Sequence, residues 1–257
     1  MIYISHMPFS GFLWFLITLV PLVFLQRLLH REIQAVILII TRNAQLTVGL
    51  FSVLFFPGVF LHELSHFLMA KLLQVRTGKF SLIPATLPNG RLQMGYVETE
   101  RTDVFRDSLV GAAPLIAGSL FVAYVGISRM DLDLLWNVYY QYGNFELLFQ
   151  GIGLLPTAPD FYLWFYLAFA VSSTMMPSES DRHAWLQLGI WVTVLLALAL
   201  FAGAGTWMLT NLAPVLNDFL SVVSTLFGLS VILQVALLLP TMLAHRLVSK
   251  VTGVDVR

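Results

Sequence analysis

An all-α polytopic membrane protein is the fold class this sequence predicts, with about six transmembrane helices and a small β-hairpin after the second. Of 257 residues, 58% are hydrophobic and 11% charged, against about 25% charged in an ordinary soluble domain. Mean hydropathy is +0.82. Apolar runs long enough to cross a bilayer recur along the chain, separated by short polar stretches. With no internal repeat, low-complexity segment or linker, residues 1–257 read as one domain. Net charge is +0 and leaves no basic footprint for nucleic acid. There is no cysteine, which excludes disulfides, thiolate ligands and a cysteine nucleophile. Any metal must be held by His, Asp or Glu.

Phe9 to Leu29 is the first apolar run, closed by Arg27, His30, Arg31 and Glu32. It lacks a basic leader and a small-residue cleavage site, so it reads as a retained span. Ile33 to Ile40 is too short to span and reads as an interfacial helix. Leu46 to Leu73 is the second span, with Pro57 expected to kink it. Residues 74–107 are punctuated by Gly, Pro and Asn. Lys79 to Ile83 and Arg91 to Thr99 read as strands, with the turn at Leu87-Pro88-Asn89-Gly90. Such a hairpin is either a plain connection or an edge that holds an extended peptide by strand addition. Ser108 to Ile127 is the third span. Its small residues Gly111, Ala112, Ala113, Gly118 and Ser119 are expected to pack closely beside the second. Residues 129–161, acidic and aromatic, read as an extracytoplasmic interfacial loop. Phe161 to Met176, Ala184 to Leu209 and Phe219 to Leu243 complete the six.

The second span carries His62-Glu63-Leu64-Ser65-His66. On a helix, positions i and i+4 share a face, so both imidazoles can reach one ion. Glu63 sits where a general base reaches a water at that ion without being a ligand. Three ionisable groups in a lipid-length segment are costly and usually functional. The plainer alternative is a pair of histidines bonded to neighbouring helices, with Glu63 paired to one of them.

Orientation follows from the basic residues. In a six-span chain the termini, residues 71–106 and Arg182 share one side and hold ten Lys and Arg, while the other side holds four. The positive-inside rule then puts both termini in the cytoplasm. The second and fourth spans both run inward, so His62 and His66 meet the Pro177 to His183 segment at one depth. Catalytic zinc takes three protein ligands. Asp181 is the first candidate for the third, His183 the second and Glu179 the third. Ser178-Glu179-Ser180-Asp181 also fits a capping box for the next helix.

These residues resemble the site-2 proteases, a family of intramembrane zinc metalloproteases. The resemblance covers residues 46–185 and rests on HELSH in a span, the turn-rich hairpin after it, GAAPLIAG in the third span, and TMMPSESD after a later one. The chain departs from the family at Thr174, where an Asn is usual, at Ala113-Pro114 in place of Gly-Pro, and at Arg182 in place of Gly. The resemblance implies cleavage of a transmembrane or membrane-tethered protein substrate within the lipid bilayer. Zn2+ would be held by His62, His66 and Asp181, with Glu63 as catalytic base. The alternative is a non-proteolytic membrane protein that binds or transports a metal ion. Substrate and oligomeric state are not legible.

Overall fold

The computed structural model describes residues 10–86, 92–143 and 145–254. Helix α1 spans Ser10–Thr41 and α2 spans Ala44–Leu72. The separate interfacial segment expected at Ile33 to Ile40 is instead the end of α1. No Gly or Pro interrupts Leu29 to Ile33, so the helical ladder runs through. Asn43 starts α2, its side chain accepting from Gln45 N and Leu46 N at 2.9 and 3.1 Å. Helix α2 continues through Pro57.

Strands β1 (Thr77–Ser81), β2 (Ala85–Thr86), β3 (Leu92–Gln93) and β4 (Tyr96–Thr99) form two antiparallel ladders, β1 with β4 and β2 with β3. The expected hairpin is thus present but divided. Pro84 lacks an N–H and closes the first ladder. The turn at 87–90 lies outside the described residues. Asp103 caps α3 (Val104–Ser128), accepting from Phe105 N and Arg106 N. The segment expected to be an interfacial loop contains two helices, α4 (Leu132–Tyr142) and α5 (Phe145–Leu154). Then come α6 (Phe161–Thr174), α7 (Trp185–Phe201) and α8 (Gly205–Thr252), the last with a π-turn at Met208–Leu212.

Among the described residues four helices, α1, α2, α3 and α8, are long and apolar enough to cross a membrane. Helices α5 and α6, bent by 101°, make a fifth if taken as one broken span. Helix α7 has 17 residues and none is buried.

Side-chain contacts give the relative directions. Leu54 accepts from Tyr166, Phe55 packs on Phe169 and His62 meets Thr174, so α2 and α6 run parallel. Gly58 lets them approach, since a Cβ there would collide with the Ala170 carbonyl and Thr174 Oγ1. Helix α3 runs against both, with Val110 beside His66, Gly118 beside Met175 and Val125 beside Ala168. Helix α1 runs against α2, with His30 on Phe51 and Phe55 and Thr41 on Thr47. Helices α1 and α8 are parallel: Gly11 meets Asn217, Phe15 meets Phe227, and Glu32 meets His245. The aromatic core of Phe51, Phe55 and Phe169 closes against Leu29 and Leu238.

Candidate metal centre

Helix α2 presents His62 and His66 on one face, their ring centroids 4.9 Å apart. The loop after α6 brings in Asp181. Its carboxylate oxygens lie 3.3 Å from His66 Nε2 and 3.7 Å from His62 Nε2. The two Nε2 atoms are 3.2 Å apart. Among the described residues, His62, His66 and Asp181 are the group whose ligand atoms fall within 4.8 Å of one another.

The other ring nitrogens set the tautomers. His62 Nδ1 lies 2.7 Å from the Thr174 carbonyl and His66 Nδ1 lies 2.8 Å from the Val110 carbonyl. A carbonyl only accepts, so each Nδ1 must donate. In the neutral rings both Nε2 atoms therefore carry lone pairs and point at each other. Add the Asp181 carboxylate, and three acceptors face one small volume with no donor between them. That arrangement could hold a metal ion. Zinc holds nitrogen at about 2.0–2.1 Å in a tetrahedral site, which sets neighbouring ligand atoms about 3.3 Å apart. Two of the observed separations, 3.2 and 3.3 Å, match that spacing, and the third, from His62 to the other carboxylate oxygen, is 3.7 Å.

Both carbonyls are available for a backbone reason. Thr174 ends α6, and its ladder partner would be the Ser178 N–H. That N–H instead donates to Asp181 Oδ2 at 2.6 Å. Val110 lies one helical turn before Pro114, which has no N–H to give it.

Asp181 also forms the capping-box pair, its N–H reaching Ser178 Oγ at 3.3 Å. The two roles coexist, because Oδ1 faces His66 while Oδ2 takes the backbone N–H. The pair closes a turn, and α7 begins only at Trp185. His183 is not in the cluster. Its Nδ1 bonds the Ser180 carbonyl at 2.7 Å and its Nε2 lies 3.2 Å from Asp107. Glu179 is exposed and outside the group. Glu63 is buried beside the cluster. The hairpin covers it closely: a Cβ at Gly95 would stand 2.9 Å from Glu63 Cγ and 3.2 Å from Oε1. Helix α3 packs beside α2 as expected, with Val110 against Ala70 and His66, and its glycines have a further contact. Gly111 and Gly118 face Asp181 and Met175, so they pack on the segment that follows α6. Sequence reasoning missed the two carbonyls. Pro114, four residues after Val110, was the signal for one of them.

Comparison with family models, with curated proteins and with solved structures returned no match. The functional reading therefore rests on this geometry and on the sequence motif.

Proposed function

We propose that this protein is an intramembrane zinc endopeptidase of site-2 protease type, acting on a transmembrane or membrane-tethered protein. The observation that carries it is the convergence of His62, His66 and Asp181 beside Glu63. Zinc bound by the three ligands would polarise a peptide carbonyl and lower the pKa of water to about 7. Glu63, one residue from His62, is placed to take the proton of the attacking water and return it to the leaving nitrogen. A transmembrane substrate keeps its backbone bonds internal, so its helix must open before cleavage. The β1–β4 ladder lies over Glu63 and offers an edge to the opened segment.

Glu63→Gln tests this. Zinc content should hold, while cleavage of a membrane-embedded reporter should fall by about 10²–10⁴-fold. Full cleavage by that variant would end the protease reading. It would leave a protein that binds or moves a metal ion.

We also propose five crossings in place of six, by α1, α2, α3, the α5–α6 pair and α8. The parallel run of α1 and α8 supports this. In a six-crossing chain the first and last spans run opposite ways, and here they run together from Gly11–Asn217 to Glu32–His245. Helix α7 then does not cross, and the two ends of the chain lie on opposite sides. Arg246, Lys250 and Arg257 move across, so the ten-to-four split becomes seven on each side and charge favours neither orientation. The native chain has no cysteine, which makes labelling clean. Single cysteines at Arg101 and Lys250 should react with an impermeant reagent from opposite faces. Reaction from one face would restore six crossings.

A further inference from the structure

We propose that one turn of α3, Val110 to Pro114, is the positioning element of the metal centre. On this reading Pro114 acts on His66, and Gly111 acts on Asp181. The inference rests on the metal-centre reading above and adds residues that touch neither metal nor substrate.

Pro114 acts by what it lacks. In an α-helix the carbonyl of residue 110 would receive the N–H of residue 114. Proline has none, and its ring pushes that carbonyl outward. The freed oxygen is the acceptor for His66 Nδ1, at 2.8 Å. This bond sets the ring so that Nε2 faces His62 and Asp181 at 3.2 and 3.3 Å. A proline in a helix interior is costly relative to alanine. Here the released carbonyl has a use, and the proline ring is fully buried.

Gly111 is the next residue. A Cβ there would fall on the Asp181 carbonyl oxygen and stand 2.9 Å from its carbonyl carbon. Those atoms are backbone, so the whole ligand residue would have to move. Two further contacts hold the same segment on α3: Trp185 Nε1 donates to the Ser108 carbonyl at 3.2 Å, and His183 meets Asp107 at 3.2 Å. One helical turn thus orients one ligand from α2 and seats another from a distant loop.

The experiment measures zinc affinity of purified protein and the ¹⁵N signals of the His66 imidazole, without reference to cleavage. Pro114→Ala restores an N–H that competes for the Val110 carbonyl. Its zinc affinity should fall about 10–100-fold, the usual scale for losing a group that orients a ligand. Gly111→Ala should also lose at least about tenfold, since metal ligands tolerate shifts of only about 0.2 Å. Pro21→Ala and Gly126→Ala make the same two backbone changes away from the site and should leave affinity within about threefold of the parent. An unchanged affinity in Pro114→Ala and Gly111→Ala would overturn the proposal, and so would equal losses in the two controls. Should the Pro114 variant not fold, the parent chain still decides. Stripped of zinc by chelator, it should already show His66 protonated at Nδ1 and bare at Nε2. The opposite tautomer there sinks the proposal. A parent chain that never binds zinc fails the metal reading and leaves this tautomer test standing.

Discussion

Glu32 and His66 are equally buried, each 7% exposed, and each sits within a long apolar helix beside a titratable partner from a distant part of the chain. Their surroundings differ in kind. Glu32 Oε2 lies 2.6 Å from His245 Nδ1, and its other oxygen lies 3.2 Å from Arg31. Acceptor meets donor at both oxygens of the Glu32 carboxylate, and only His245 Nε2 is left buried without a partner. At His66 the donors are already committed outward, to the Val110 and Thr174 carbonyls, and the atoms left facing inward are all acceptors. Buried charge in a membrane helix is therefore not enough to mark a functional site. What separates the two regions is whether a carboxylate meets donors or stands among acceptors that could share a metal ion.

The largest effect expected from this contrast is at the ligands. His62→Ala and His66→Ala should each abolish stoichiometric zinc, read by metal analysis of protein purified without chelator. Glu32→Gln should leave zinc untouched. If the Glu32 variant loses metal as His66→Ala does, the two clusters are one system and the contrast fails. Asp181→Asn comes next. A neutral amide is a poorer ligand than a carboxylate, so zinc affinity should drop by at least about tenfold. Asn serves nearly as well as Asp in a cap, so a variant with full affinity would reduce Asp181 to its turn with Ser178.

The Glu32–His245 pair should show the opposite profile, a stability effect with no metal effect. Removing one partner of a buried pair leaves an uncompensated charge and costs about 3–5 kcal/mol. His245→Leu alone should lower the thermal unfolding midpoint in detergent, with zinc retained. Glu32→Leu combined with His245→Leu should recover most of it, because an apolar replacement of both partners is often neutral. A double variant as unstable as the single one would mean that the pair does more than balance itself.

The same contrast explains what was legible in the chain. The two histidines and Glu63 lie within five residues, and helical geometry alone puts the histidines on one face. Asp181 was reachable because its loop had to return to the same depth as His62. The Glu32–His245 pair joins residues 213 apart. No local pattern announces it, and it exists only because α1 and α8 run parallel. Direction also bears on the six-helix expectation, since the described residues hold four helices long and apolar enough to cross, or five with the bent pair. Apolar length shows where a helix can cross, but Trp185–Phe201 reads as a span by composition and packs almost nothing. The end of α1 was misread for a related reason. Charged residues at 27–32 look like a boundary, and a partner from α8 removes the need for one.

The smallest effect tests the choice between two histidines. His183 stands two residues after Asp181 and was the competing candidate for third ligand. It points the other way, with Nδ1 on the Ser180 carbonyl and Nε2 on Asp107, and its side chain is 45% exposed. An exposed pair of this kind contributes about 0–1 kcal/mol. It is one of several ties between the Asp181 loop and α3, the Trp185–Ser108 hydrogen bond being another. His183→Asn should therefore shift zinc affinity by less than about fivefold, which corresponds to about 1 kcal/mol. It should leave stoichiometry intact, as titration with a competing chelator would read. A loss on the scale of His66→Ala would make His183 a ligand. The convergence of the three acceptors would then be an accident of packing, and the contrast with the Glu32 pair would rest on the wrong histidine.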